Sequence, residues 1–256
     1  MEPTISRLAL TGPNPPAIEV MRVLATAGHP TAELVAKGAF SGETVTVQSA
    51  AALTAPAPRV DKVVARTFDD GPGNYTAQIL RTLRDKGVTA TFCLIGRQAQ
   101  QSPDLIKQIV ADGHQLCNHT QDHDIYLDRK TNPVIDAQIT SGFNAITIAS
   151  GGHQPRFYRP PGGALSPAII KTANARGLQV LMWSVDPEDW RRPGTDKIIT
   201  KATTAVPNGG IVLLHDGGGD RSQTVAALPV IIDRLRAQGF TIVHPDTTLA
   251  NPPPNP

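Results

Sequence analysis

The chain has 256 residues, 40% hydrophobic and 18% charged, enough for one large globular domain with a substantial core and too apolar for disorder throughout. A formal net charge of +2, with scattered Lys and Arg and only 4% aromatics, forms no basic stripe and excludes a compositional case for nucleic-acid binding. No apolar run approaches the length of a membrane span, and Met1-Glu2-Pro3-Thr4 does not begin an intact secretory signal.

Residues 1–60 differ in character from the rest of the chain. Pro13 to Pro16 and Pro56 to Pro58 bracket two short Ala/Val-rich helical patterns and the stretch Thr44-Val45-Thr46-Val47, so this part is expected to be an N-terminal extension or linker without a motif. From Asp61 onward, apolar strand candidates alternate with amphipathic helix candidates. Strands are expected at Val63 to Phe68, Ala90 to Ile95, Gln115 to Asn118, Arg156 to Arg159, Gln179 to Trp183, Gly210 to Leu214 and Thr241 to Val243. Helices are expected at Ala77 to Lys86, Pro103 to Asp112, Pro133 to Ala149, Pro167 to Ala175, Asp196 to Ala205 and Thr224 to Gln238. This rhythm predicts a parallel sheet with crossover helices, open or closed into a barrel, over residues 61–246. Residues 247–256 form a Pro-rich tail with nothing to pack. Cys93 and Cys117 fall on consecutive strand candidates, either as reduced core residues or as one disulfide.

Chemistry-bearing residues gather at the strand ends. Asp69 and Asp70 close the first strand and precede the turn Gly71-Pro72-Gly73, which can bend the chain so that both carboxylates reach one cleft. His119 and His123 follow the third strand at a spacing that puts two imidazoles on one face if the backbone turns helically. With one carboxylate they make a two-nitrogen, one-oxygen set that leaves a cation an open position, although spacing does not say whether Asp69 or Asp70 supplies the oxygen. Arg159 ends the fourth strand, where it can hold a carboxylate ionised. His215 ends the sixth as a natural general acid, and Asp186, Glu188 and Asp189 offer carboxylates to fix its tautomer beside the apolar wall of Trp190.

Together, Thr67-Phe68-Asp69-Asp70-Gly71, His119-Thr120-Gln121-Asp122-His123, Arg159-Pro160-Pro161, Asp186-Pro187-Glu188-Asp189-Trp190 and Leu213-Leu214-His215 form an ordered set. In this set the chain resembles the polysaccharide deacetylase family, the NodB-homology domain of carbohydrate esterase family four, from about Asp61 to Val243. The resemblance implies a distorted (β/α)7 barrel that removes acetyl groups, most often N-acetyl, from acetylated polysaccharides such as peptidoglycan or chitin oligomers. It implies Asp70, His119 and His123 as ligands of a divalent cation, usually Zn2+, with Co2+ or another transition metal as alternatives. It implies Asp69 as base towards a metal-held water, His215 as acid, Asp189 as its orienter and Arg159 as the partner of Asp69. A backbone N–H near Gly162 would face the oxyanion, and Trp190 and Leu213 would line the acetyl pocket. A secreted or cell-envelope location follows from such a substrate. An O-acetyl esterase acting on xylan keeps the same site, and a non-catalytic glycan-binding module keeps only the fold. Two positions depart from the family pattern: Gly162 stands where a Tyr is usual, and Arg66 stands at a usually apolar strand position, where it either faces outward or perturbs the first strand.

Overall fold

The computed structural model describes residues 62–246, so the expected extension over 1–60 and the tail over 247–256 lie outside the described residues. The alternating pattern becomes a wholly parallel sheet flanked by helices. β1 (Lys62–Gly71) leads to α1 (Thr76–Asp85), β2 (Thr91–Leu94), α2 (Gly96–Gln101), α3 (Pro103–Ala111) and β3 (Gln115–Asn118). The chain continues through α4 (Asn132–Ala149), β4 (Phe157–Tyr158), α5 (Pro167–Asn174) and β5 (Gln179–Val180). It ends with α6 (Thr195–Thr203), β6 (Gly210–His215), α7 (Ser222–Ala237) and β7 (Phe240–Val243). The helix α2 has no counterpart among the expected elements: Gly96-Arg97-Gln98-Ala99-Gln100-Gln101 has no apolar periodicity and buries only Gly96 and Ala99.

The sheet runs in the order β5-β4-β3-β2-β1-β6. β1 is its long central strand. Along one edge it pairs with β6 from Val64 to Asp69; along the other it takes β7 below, from Lys62 to Ala65, and β2 above, from Thr67 to Gly71. The chain leaving β5 bridges Val185 to Val212 of β6, which joins the two ends of the sheet into a distorted barrel. That departure shortens β5 relative to the expected strand over Gln179 to Trp183.

Because side chains alternate along a strand, β1 divides the core. Val64 and Phe68 face outward onto Ile79, Leu80 and Leu83 of α1 and Ala227, Leu228, Ile231, Ile232 and Leu235 of α7. Ala65 faces a smaller inner cluster with Cys93, Cys117, Phe157, Leu181 and Ile211. Cys93 and Cys117 are register partners on β2 and β3 and form a disulfide, with Cα atoms 4.2 Å apart. Arg66 lies between Val64 and Phe68, and β1 passes through it unbroken. Its side chain points outward, in line with the first of its two alternatives, yet outward means under the helices: it is fully buried, and its guanidinium has no hydrogen-bond partner among the described residues.

Candidate active site

Two adjacent strand residues normally face opposite sides of a sheet. At the end of β1 the register slips between Asp69, which pairs with Cys93, and Gly71, which pairs with Leu94. Asp70 is the extra residue of this bulge and adopts φ 70°, which frees its side chain from the alternation. Both carboxylates therefore stand at the upper mouth of the barrel. Gly71 then joins Pro72 through a cis peptide.

Asp69 is held from inside the barrel. Arg159 is fully buried, and its Nη1 donates to Asp69 Oδ1 at 2.7 Å and to Thr67 Oγ1 at 2.7 Å. Its Nε donates to the Leu181 carbonyl at 3.0 Å and its Nη2 to the Met182 carbonyl at 3.2 Å, while Trp183 stacks 5.5 Å from the guanidinium carbon. One charge is thus shared between a carboxylate and three neutral acceptors in a site closed to water.

The expected helical turn between His119 and His123 does not form. The segment is a loop in which Thr120 and His123 take positive φ values of 67° and 61°, and this curl, rather than a helix face, turns both imidazoles to one side. The ring centroids lie 4.9 Å apart. His119 Nδ1 is 2.7 Å from the Arg159 carbonyl oxygen, which can only accept, so Nδ1 carries the proton and Nε2 presents its lone pair to the mouth. Asp70 Oδ1 lies 3.0 Å from His123 Nε2 and 3.5 Å from His119 Nε2, buried and without a hydrogen bond of acceptable geometry. Ligand atoms of Asp70, His119 and His123 all fall within 4.8 Å of one another. Two imidazole nitrogens converging on an unsatisfied buried carboxylate oxygen make a three-donor set that fits a divalent cation. Burial acts to raise the Asp70 pKa, but the His119 and His123 imidazoles beside it outweigh burial and hold the carboxyl well below its usual range. Asp69 Oδ2 is 3.7 Å from His119 Nε2, and its other oxygen is committed to Arg159.

His215 faces this group across β1, because it is the register partner of Asp69. Its Nδ1 lies 2.7 Å from Asp189 Oδ1, and its backbone N–H donates to Asp189 Oδ2 at 2.9 Å. Thr224 Oγ1 donates to the same Oδ2 at 2.7 Å, so the buried Asp189 has partners on both oxygens. Burial pulls the His215 pKa down, but Asp189, with Asp69 and Asp70 behind it, carries it above the ordinary imidazole value. Leu213, the register partner of Thr67, is buried on the same inner face, whereas Trp190 is 46% exposed under the stacked Arg191 guanidinium. Gly162 sits in a short turn, Pro161–Gly163, at φ 61°, with Ile125 of the loop after His123 packed beside it. Asp69, Asp70, His119, His123, Arg159, Asp189 and His215 therefore assemble around one mouth, whereas Asp186 accepts from the Glu188 N–H and Glu188 pairs with Lys201, so neither is the carboxylate that holds His215.

Four partners escape a reading of the sequence: Thr67 beneath Arg159, Thr224 beneath Asp189, and Asp216 with Thr76. Asp216 is fully buried, accepts from Thr76 Oγ1 at 2.5 Å, and is pushed up to about 7 by its burial. No periodicity marks these residues; the available signals are that Thr67 opens the Thr67-Phe68-Asp69-Asp70-Gly71 motif and that Asp216 adjoins His215.

Residues 57–181 match the family model described as polysaccharide deacetylase. The chain is 41% identical over 194 residues to a peptidoglycan-N-acetylglucosamine deacetylase of Bacillus cereus, covering 75% of this chain and 90% of that one. It is 39% identical over 191 residues to a chitooligosaccharide deacetylase of a Bradyrhizobium species, covering 70% of this chain and 86% of that one. Among solved structures it resembles a family 4 carbohydrate esterase from Streptomyces lividans in complex with acetate, with TM-score 0.67 and 32% identity over 73% of this chain and 95% of that one.

Proposed function

This chain belongs to the polysaccharide deacetylase family, and we propose that it hydrolyses N-acetyl groups of N-acetylglucosamine-containing polymers, peptidoglycan or chitin oligomers, with a divalent cation at the barrel mouth. The observation that carries this reading is the convergence of Asp70, His119 and His123 beside an Arg159-held Asp69 and opposite an Asp189-held His215. Asp70, His119 and His123 would hold the cation, zinc in the first instance and cobalt as an alternative. When bound, such an ion supplies Lewis acidity that polarises a carbonyl and acidifies water.

The chain's own residues do the proton work. Asp69 keeps Oδ2 free while Arg159 binds Oδ1, so the proton of the attacking water is accepted at Oδ2. His215, its Nδ1 tied to Asp189, holds a proton on Nε2 and delivers it to the departing amine nitrogen, without which an amide would expel a strongly basic anion. A backbone N–H near Gly162 is the donor for the oxyanion, and Leu213 and Trp190 border the acetyl methyl. Arg159 orients Asp69, and Asp189 orients His215. A polymer substrate and the Cys93–Cys117 disulfide both support a secreted or cell-envelope setting, where thiols oxidise.

The test is acetate release from a chitooligosaccharide, before and after chelation and with zinc or cobalt restored. Loss on chelation with recovery on metal addition is the expected result. Acetate release from acetylated xylan with none from chitooligosaccharide would replace the amide reading with the O-acetyl esterase reading.

A further inference from the structure

The proposed chemistry leaves one buried carboxylate at the barrel mouth without a task. Asp216 follows His215 at the end of β6 and is fully buried. A carboxylate in such a place is costly unless it holds something that a smaller apolar side chain would not.

What it touches is the turn that carries the candidate ligand. Asp216 Oδ2 accepts from Thr76 Oγ1 at 2.5 Å, and that hydroxyl accepts in turn from the Gly73 N–H at 2.8 Å. Thr76 is the first residue of α1, so two hydrogen bonds tie the end of β6 to the α1 start and to the loop that ends the bulge. The carboxylate also packs flat on Gly71: a Cβ there would overlap all three of its terminal atoms. The backbone completes the bracket. The Asp216 and Gly217 N–H groups both donate to the Asp69 carbonyl, at 3.1 and 3.3 Å, and a Cβ on Gly217 would overlap the Asp70 carbonyl oxygen. Asp70 thus sits between a fixed residue before it and a fixed residue after it, while holding the left-handed φ of 70° that non-glycine residues rarely adopt. Left unbraced, the turn would relax towards an ordinary strand end, and the alternation of a strand would carry the Asp70 carboxylate away from the two imidazoles.

We propose that Asp216, acting through Thr76, Gly71 and Gly73, is a positioning residue that locks the β1 bulge so that Asp70 faces His119 and His123. The inference rests on the proposed cation site but not on the identity of the acetylated substrate. Asp216 touches neither ion nor sugar in this role, so its effect falls on cation affinity before any effect on substrate.

The test is zinc affinity of the purified full chain, measured by competition with a chromogenic chelator, alongside the thermal unfolding temperature of the metal-free protein. Asp216→Ala is expected to bind zinc about 10–100-fold more weakly, the usual cost of removing a group that orients a metal ligand. Asp216→Asn keeps an acceptor for Thr76 and is expected to stay close to the original protein. A folded Asp216→Ala that binds zinc as tightly as the original chain overturns the proposal, as does a lowered unfolding temperature with affinity unchanged. If Asp216→Ala does not fold, Thr76→Val against Thr76→Ser decides: weaker zinc binding in the Val variant alone supports the lock, and equal binding in both overturns it. An original chain that binds zinc yet releases no acetate would topple the deacetylase reading and leave the lock standing. One that binds no cation overturns both.

Discussion

Among the described residues two arginines are completely buried, one on each side of the sheet, and their surroundings are opposite. Arg159, inside the barrel, engages a carboxylate, a hydroxyl and two carbonyls and stacks on Trp183. Arg66, in the layer between sheet and helices, has no partner on any guanidinium nitrogen among the described residues, and burial, reinforced by Arg236, pulls its pKa down to about 9. Arg66 still carries its charge at neutral pH. The inner charge is compensated because it serves the chemistry at the mouth; the outer one is a charge in an apolar layer, where desolvation is unopposed. A buried arginine is therefore no indicator of function by itself, and what distinguishes the two is the set of acceptors around each.

The largest expected effect lies at the partner that Arg159 serves. Asp69→Asn removes the base while leaving the cation ligands in place, so acetate release should fall about 10²–10⁴-fold with zinc affinity retained; near-normal turnover would remove Asp69 from the role of base. Next comes Arg159→Met, which leaves Asp69 buried without its counter-charge and should cost about 3–5 kcal/mol in urea unfolding as well as activity. A loss too small to measure would mean that the inner network is not what stabilises its charge. Arg66→Met should act in the opposite sense, raising stability by about 1–4 kcal/mol with turnover unchanged. A lower unfolding temperature for that variant would show that the guanidinium has an acceptor after all, and the contrast between the two arginines would fail. The smallest effect concerns pH. Asp189 favours the imidazolium of His215, whose pKa lies above the ordinary value, so the protonated acid persists to higher pH. Asp189→Asn removes that negative charge, and the alkaline limb of kcat/KM should move to lower pH; an unmoved limb would mean that another group sets it.

The strand order of chemistry is readable because each motif ends an apolar run, and apolar runs mark strands by burial alone. Gln115–Asn118 falls where its pattern places it, and Lys62–Gly71 outruns its apolar pattern only because its last residues are polar. The short α2 leaves no trace in the pattern because almost nothing in it is buried. His119 and His123 converge, but not for the geometric reason that their spacing suggests: the two rings meet through left-handed residues in a loop, a conformation no spacing rule encodes. Asp216 gives no signal of its task because its partners, Thr76 and Gly71, are distant in sequence and ordinary in type.

Hydrophobic periodicity dictates where strands stop, so the order of amino acids alone settles which side chains stand at the strand ends: acids, imidazoles and one arginine. How those groups divide their roles is a matter of three-dimensional packing. Asp70 turns to the histidines because β1 slips register at a bulge, and Asp69 stays with Arg159 because it keeps the inward face of the strand. Likewise, alternation takes Arg66 out of the barrel interior, but packing of the helices over that face keeps it from water. Local pattern sets which residues are neighbours along the chain; the direction of a side chain, and what waits for it there, depends on segments far away in sequence.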